Sequence, residues 1–361
     1  MTAPLLLMTP GPTRVPERVL LAGARPMLHH RTAEFSAELA AVLELLAPFF
    51  GTRELPLPIH ATGRGAMEAT LCNLLSPGEA IGACCNGRFG ELWVKLAASH
   101  GLAVHRIATD WNQDVDPADV EQLLVEHPET RAIAMAYGDT STGVANDVRG
   151  VARVTRSRNV LLFVDGVSSI GGMPFAFDEW GVDAAITASQ KCLMSSPGLS
   201  FVVTSERARA AAARATLPRA YWDFDVIRRE ASKARPEPAG TPPVHCMLQV
   251  AEALRMLHEE GVEAVFRRHA AMGEMTRQGI AALGLQPQCP GLKHRSNTVT
   301  PVALPTDIPP ARVRDGLKSR GILVAGGLEQ FQPSAFRIGH MGDIRPVDVQ
   351  RTLDALREVL G

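Results

Sequence analysis

Apolar positions along the first 210 residues alternate between a helical period and short strand-like runs. Residues 34–50 carry leucines and alanines at helical spacing and stop at Gly51. A short apolar run at 57–61 leads into Thr62-Gly63 and a helical stretch through Leu75. After the turn Ser76-Pro77-Gly78, the pattern predicts strands over 80–85, 103–107, 132–136 and 160–164. Helices are predicted over 90–100, 117–126 and 148–156. Such alternation implies βαβ units and a mostly parallel, mixed sheet flanked by helices, an α/β fold.

From Pro243 the texture changes. A long helical region, 244–283, is followed by a strand at 298–303, a helix at 310–320, short strands near Ile322 and Phe336, and a closing helix at 347–360. We therefore expect a large domain over 16–255 and a smaller α+β domain over 256–361, completed by residues 1–15. The basic, proline-flanked stretch 228–235 reads as a surface loop.

In a parallel sheet, ligands gather beyond the carboxyl ends of the strands, so the residues there carry the candidate chemistry. Three features stand out. Thr62-Gly63-Arg64-Gly65 precedes a helix, where glycines and free backbone N–H groups suit one phosphate, with a hydroxyl from Thr62. A dinucleotide fingerprint would need glycine at Glu68, and no Gly-Lys-Ser/Thr follows for a nucleotide loop. Asp165 closes the apolar run Leu161-Leu162-Phe163-Val164, and Lys191 lies in Ser189-Gln190-Lys191 after another apolar run.

Each feature alone also fits a ligand-free turn, a helix cap or a surface lysine. Together they supply a phosphate anchor, an acid for a pyridine nitrogen and an amine for an aldehyde. Those are the needs of pyridoxal 5′-phosphate.

Composition narrows the partners. The 361 residues hold 37 basic against 38 acidic side chains, a net charge of −1, which gives no electrostatic footprint for nucleic acid. No apolar run approaches the length of a membrane span, and the six cysteines show neither metal-ligand nor disulfide-framework spacing. A reducing, cytoplasmic setting is expected, with no bound metal, since the histidine pairs lack a ligand motif. Gly166-Val167-Ser168 does not continue as a hydrolase nucleophile elbow. Aromatics make up only 5% of the chain, so each aromatic in a polar loop draws interest.

The chain resembles the fold-type-I, class V aminotransferases, near their alanine–glyoxylate and serine–pyruvate branch. The resemblance starts at Pro10-Gly11-Pro12-Thr13. It continues through Tyr137-Gly138-Asp139-Thr140-Ser141-Thr142-Gly143, 164–172 and Ser189-Gln190-Lys191 to Phe336-Arg337-Ile338-Gly339. It implies that Lys191 binds the cofactor and moves the substrate proton, that Asp165 pairs with the ring nitrogen, and that Val167 and Phe89 cover the two ring faces. It also implies that Thr62, Gly63, Arg64 and Gln190 hold the phosphate, with Thr140 beside cofactor and substrate. Arg337 would grip the substrate carboxylate. Thr241 would reach the phosphate of a second subunit, making a homodimer with a shared active site.

Two positions depart from the family pattern. Arg64 stands where relatives have His or Thr, and we expect its guanidinium to reach the substrate pocket and favour an acidic donor. Pro238 replaces a tyrosine. The implied activity is ping-pong transfer of an amino group from a small amino acid, alanine- or serine-like, to a 2-oxo acid such as glyoxylate or pyruvate. The alternatives are a lyase or desulfurase of the same class, or an aminotransferase acting on an aminophosphonate or acidic donor. A regulatory module of this fold is not expected, because the aminotransferase-like region begins by residue 10 and the charge is neutral, and a nicotinamide enzyme is disfavoured by the failed glycine fingerprint.

Overall fold

The computed structural model describes residues 5–361. Its larger sheet has seven strands in the spatial order Leu57–Ile59, Ser200–Thr204, Ala184–Ala188, Leu161–Asp165, Thr130–Ala136, Ala80–Cys84 and Ala103–Ile107. Neighbours are parallel except around Ser200–Thr204, which runs against both strands beside it. The expected α/β architecture with a mostly parallel, mixed sheet is present.

Period-two alternation fills both faces of this sheet. Leu161 and Phe163 pack with Ile81, Ala83, Ala132 and Ala134 on one side. Leu162 and Val164 pack with Ile133 and Met135 on the other. A strand buried on both faces needs apolar residues at every position, which is why these strands read as unbroken apolar runs.

A second sheet is ordered Leu6–Met8, Ile322–Gly326, Ala335–Gly339, Val299–Ala303 and Gln286–Pro287. Leu6–Met8 lies parallel to Ile322–Val324, and its Leu6 and Met8 enter a separate core with Val302, Phe336, Ile338 and Leu356.

Three local expectations change. The helical region 244–283 is two helices, Val244–Glu260 and Val262–Ala282, broken at Gly261 with φ of 90°. The boundary drawn between 255 and 256 falls inside the first. The stretch 228–235 is not all loop, because Arg228 and Arg229 belong to helix Phe224–Ala231. Asp223 caps it, accepting from the Asp225 and Val226 N–H groups, and Phe224, Ile227 and Ala231 are buried at helical spacing. Ser200–Thr204 was not anticipated, since no helix separates it from the preceding strand.

The strands ending at Ile59, Cys84, Ala136, Asp165 and Ala188 share one direction, so their following loops crowd one edge of the sheet. That edge carries the site.

Candidate active site

Lys191 lies just past strand Ala184–Ala188, in a turn clamped by the N-terminal segment. The Lys191 Nζ donates to the Pro10 carbonyl at 2.6 Å. Thr13 adds two further contacts: its N–H donates to the Gln190 carbonyl at 3.1 Å, and its hydroxyl to the Lys191 carbonyl at 3.1 Å. Gly11 makes this approach possible. Its φ is +101°, and a Cβ there would lie 2.4 Å from Lys191 Cδ. Burial pushes the Lys191 ammonium down to about 8; the Arg337 charge adds to this and Asp165 opposes it. Near neutral pH a share of Lys191 is therefore the free, nucleophilic amine.

Asp165, the last residue of its strand, is buried and accepts the Val167 N–H at 2.9 Å. Burial pushes its carboxyl up to about 6, opposed by that N–H, while Asp139 adds to the rise and Lys191 opposes it. A cation bound against Asp165 would hold it ionised. Val167 in turn presses on the start of helix Gly63–Leu74, because a Cβ on Gly63 would lie 2.5 Å from Val167 Cγ2.

That helix starts without a side-chain cap. Thr62 occupies the capping position but accepts no N–H, and Thr62 and Arg64 are exposed. The first N–H groups thus remain available to an anion. Gln190, beside Lys191, has its side-chain Oε1 buried without a hydrogen bond; that oxygen is an acceptor, so a phosphate would be met by the amide's N–H groups instead. The Thr62 hydroxyl and the uncapped helix N–H groups fit a phosphate.

Arg337, on strand Ala335–Gly339, is 9% exposed. Its Nε donates to the Gly326 carbonyl at 2.7 Å, and Nη1 lies 3.4 Å from the Thr140 hydroxyl. Burial pushes its guanidinium down to about 10, with Asp139 opposing and Arg88 adding. No carboxylate of the described residues forms an ion pair with it. A buried, unpaired guanidinium is suited to an anionic ligand.

Asp139 is the site residue that sequence reasoning missed. It is fully buried and accepts from the Phe89 N–H at 2.7 Å, the Ser141 N–H at 2.9 Å and the Ser141 hydroxyl at 2.6 Å. Burial raises its pKa against those bonds. It ties the start of helix Arg88–Ser99, with half-buried Phe89, to the loop that carries Thr140. An Asp two residues before a Ser, after an apolar strand, is a turn signal that could have flagged it.

The structure thus links Gly63, Val167, Asp165, Lys191, Arg337 and Thr140, with Phe89 fixed beside them. Thr241 is set apart: it is exposed, along a cleft of about 270 Å³ shared with Pro58, His60, Trp222 and Pro238. Cys192, next to the lysine, is immobile; it is fully buried, donates to the Ser168 carbonyl, and burial pushes its thiol up to about 12.

Among the described residues, the one cluster of three possible metal-ligand side chains is His105, His127 and Glu129. Its imidazoles stack at 3.7 Å and 14°, and His105 lies 2.9 Å from Glu129 as a hydrogen-bonded pair.

Comparison with known proteins agrees with this geometry. The family described as aminotransferase class-V matches residues 7–346. The chain is 35% identical to a serine–glyoxylate aminotransferase of Methylorubrum extorquens over 95% of this chain and 88% of the relative. It is 37% identical to a Synechococcus protein named soluble hydrogenase, small subunit, over 98% of this chain and 92% of that one. The crystal structure of an alanine–glyoxylate aminotransferase from Nostoc superposes with a TM-score of 0.95 at 30% identity, covering 100% of this chain and 96% of that one. The chain belongs to the class-V aminotransferase family.

Proposed function

We propose that this enzyme uses pyridoxal 5′-phosphate to move an amino group from a small amino acid, alanine- or serine-like, to glyoxylate or a similar 2-oxo acid, in two half-reactions at one site. The observation that carries this reading is Lys191, an amine of lowered basicity held by the Pro10 carbonyl, with buried Asp165 and unpaired Arg337 as its charged neighbours. When bound, the cofactor supplies an electron-withdrawing ring beside the substrate Cα.

The protein does the rest. Thr62, Gly63 and Gln190 hold the phosphate, with Arg64 adding charge nearby. Asp165 would keep the ring nitrogen protonated, Val167 and Phe89 would cover the ring, and Thr140 would meet the substrate. Arg337 fixes the substrate carboxylate, which sets the Cα in reach of Lys191. The Lys191 amine takes the Cα proton as general base and returns it as general acid. A value near 8 suits both directions at neutral pH.

A desulfurase would need a mobile nucleophilic thiol, and Cys192 is locked. The hydrogenase name of one relative calls for a cluster of soft donors. The six cysteines are buried and free, and none belongs to a set of three converging ligand side chains among the described residues. Free buried cysteines also support a cytoplasmic setting. Among the described residues no helix is long and apolar enough to cross a membrane.

We further infer a homodimer with a shared site. Thr241 is exposed in the single chain, as are Leu20, Leu21, Met27 and Tyr221, an apolar set that a second subunit would cover.

A donor-only experiment tests the function. Incubated with alanine or serine and no acceptor, the holoenzyme should release a stoichiometric amount of 2-oxo acid and stop. Added glyoxylate should restart it with formation of glycine. Continuous product release without an acceptor would identify a lyase instead.

A further inference from the structure

A second arginine, Arg88, is anchored beside the loop that meets Arg337. Arg88 opens helix Arg88–Ser99, and its N–H donates to the Ser141 hydroxyl at 3.0 Å, one residue from the Thr140 that meets Arg337. Its guanidinium pairs with Glu329 at 3.3 Å, with the two side chains 39% and 49% exposed. Glu329 follows the Gly326 carbonyl that holds Arg337 Nε, so both partners are anchored within three residues of groups that touch Arg337. Arg64 by contrast is exposed at the start of another helix.

The turn bearing Glu329 is built for this placement. Glu329 has φ of +48°, one of only three non-glycine residues in the left-handed region among the described residues. Phe331 in the same turn packs edge-on against Trp111 at 5.5 Å, joining the turn to the larger sheet's side of the site. An exposed ion pair contributes little net stability, so it does not account for a strained backbone at its carboxylate partner. The pair is also easily exchanged, because water and a competing carboxylate solvate an exposed guanidinium about as well as Glu329 does. The Ser141 hydroxyl that holds the Arg88 N–H and the Thr140 that meets Arg337 are consecutive residues, which sets the two arginines in one neighbourhood.

We propose that Arg88 is the specificity residue for dicarboxylic amino donors: the side-chain carboxylate of the donor displaces Glu329 from Arg88 while Arg337 holds the α-carboxylate. Glu329 occupies Arg88 when the donor side chain is neutral, which lets one site serve both donor classes. The acidic-donor role expected for Arg64 passes to Arg88. This inference rests on the aminotransferase reading above.

The test compares aspartate with alanine as donors for wild-type holoenzyme, Arg88→Gln, Arg88→Lys and Glu329→Gln. The ratio of kcat/KM for aspartate over alanine should fall about tenfold to a hundredfold in Arg88→Gln, recover in part in Arg88→Lys, and rise in Glu329→Gln. Calorimetric binding of succinate, an unreactive dicarboxylate, should weaken in Arg88→Gln and tighten in Glu329→Gln, with propionate as the monocarboxylate control. A ratio unmoved by these variants, or a wild-type enzyme that uses alanine but no dicarboxylic donor, would overturn the proposal and leave the aminotransferase reading intact. A wild-type enzyme that transfers no amino group from any donor would overturn both.

Discussion

The Lys191 amine is held by the Pro10 carbonyl at 2.6 Å, across 181 residues of chain and between the two sheets. Pro10 follows a strand of the smaller sheet, and Lys191 follows a strand of the larger one. The amine is thus aimed by a neutral acceptor, which orients Nζ without restoring the basicity that burial removes.

Gly11 is the residue that permits this contact. Gly11→Ala would place a Cβ 2.4 Å from Lys191 Cδ on a backbone with φ of +101°. We predict that transaminase turnover falls about a hundredfold, since misplacing the reacting group by an ångström has that effect. The far-ultraviolet circular dichroism spectrum should remain that of the wild type.

Asp165→Asn keeps the side-chain shape and removes the anion that would hold the ring nitrogen protonated. Turnover should fall by about two to three orders of magnitude, the scale of losing one preorganised electrostatic partner. Stability of the cofactor-free protein should change in the opposite sense. Burial holds this carboxyl at about 6 rather than 3.8, so its ionisation destabilises the fold as pH rises through that window. The variant lacks this loss, and denaturant midpoints at pH 5 and pH 8 check it.

The fold, and the strand-end residues of the candidate site, were legible in the sequence for a physical reason. Parallel strands buried on both faces must be apolar throughout, so a charged residue such as Asp165 at the strand end is conspicuous, and the ligand edge follows from strand direction. Asp139 was not legible, because its importance comes from three donors converging in space, two of them from its own turn. Pro10, Arg88 and Glu329 were hidden for a related reason. Their partners lie far along the chain, and an exposed arginine or a backbone carbonyl carries no pattern of its own. The helix Phe224–Ala231 was masked by its two arginines, Arg229 exposed and Arg228 half-buried with its guanidinium donating to the Thr204 hydroxyl.

Arg337→Lys keeps a cation but loses the planar fork that matches a carboxylate. KM for the amino donor should rise about tenfold or more, with a smaller change in kcat. Steady-state kinetics with alanine and glyoxylate separates the two. An equal fall in kcat at unchanged KM would place Arg337 in a different role.

Two buried histidines make the fold acid-sensitive. His269 accepts the Gly342 N–H and His340 Nε2 lies 2.9 Å from the Thr300 hydroxyl; burial holds both imidazoles at about 3, far below the ordinary 6.5. Their neutral forms stabilise the protein above 6.5, and this contribution is lost as pH falls toward 3, because the unfolded chain takes up the protons first. Relative to wild type, His340→Gln should flatten the stability–pH curve by about 1.4 kcal/mol per pH unit between those values. Urea titrations at pH 6.5, 5.5 and 4.5 read the difference.

The central claim is that Lys191 is the amine that carries the cofactor and moves the substrate proton. Borohydride reduction of the holoenzyme followed by peptide mass mapping tests it most directly. The account predicts that the peptide containing Lys191, and no other, gains the mass of the reduced cofactor, and that Lys191→Ala takes up no label. Label on any other lysine, or an unlabelled Lys191 in an enzyme that still transfers amino groups, would contradict it.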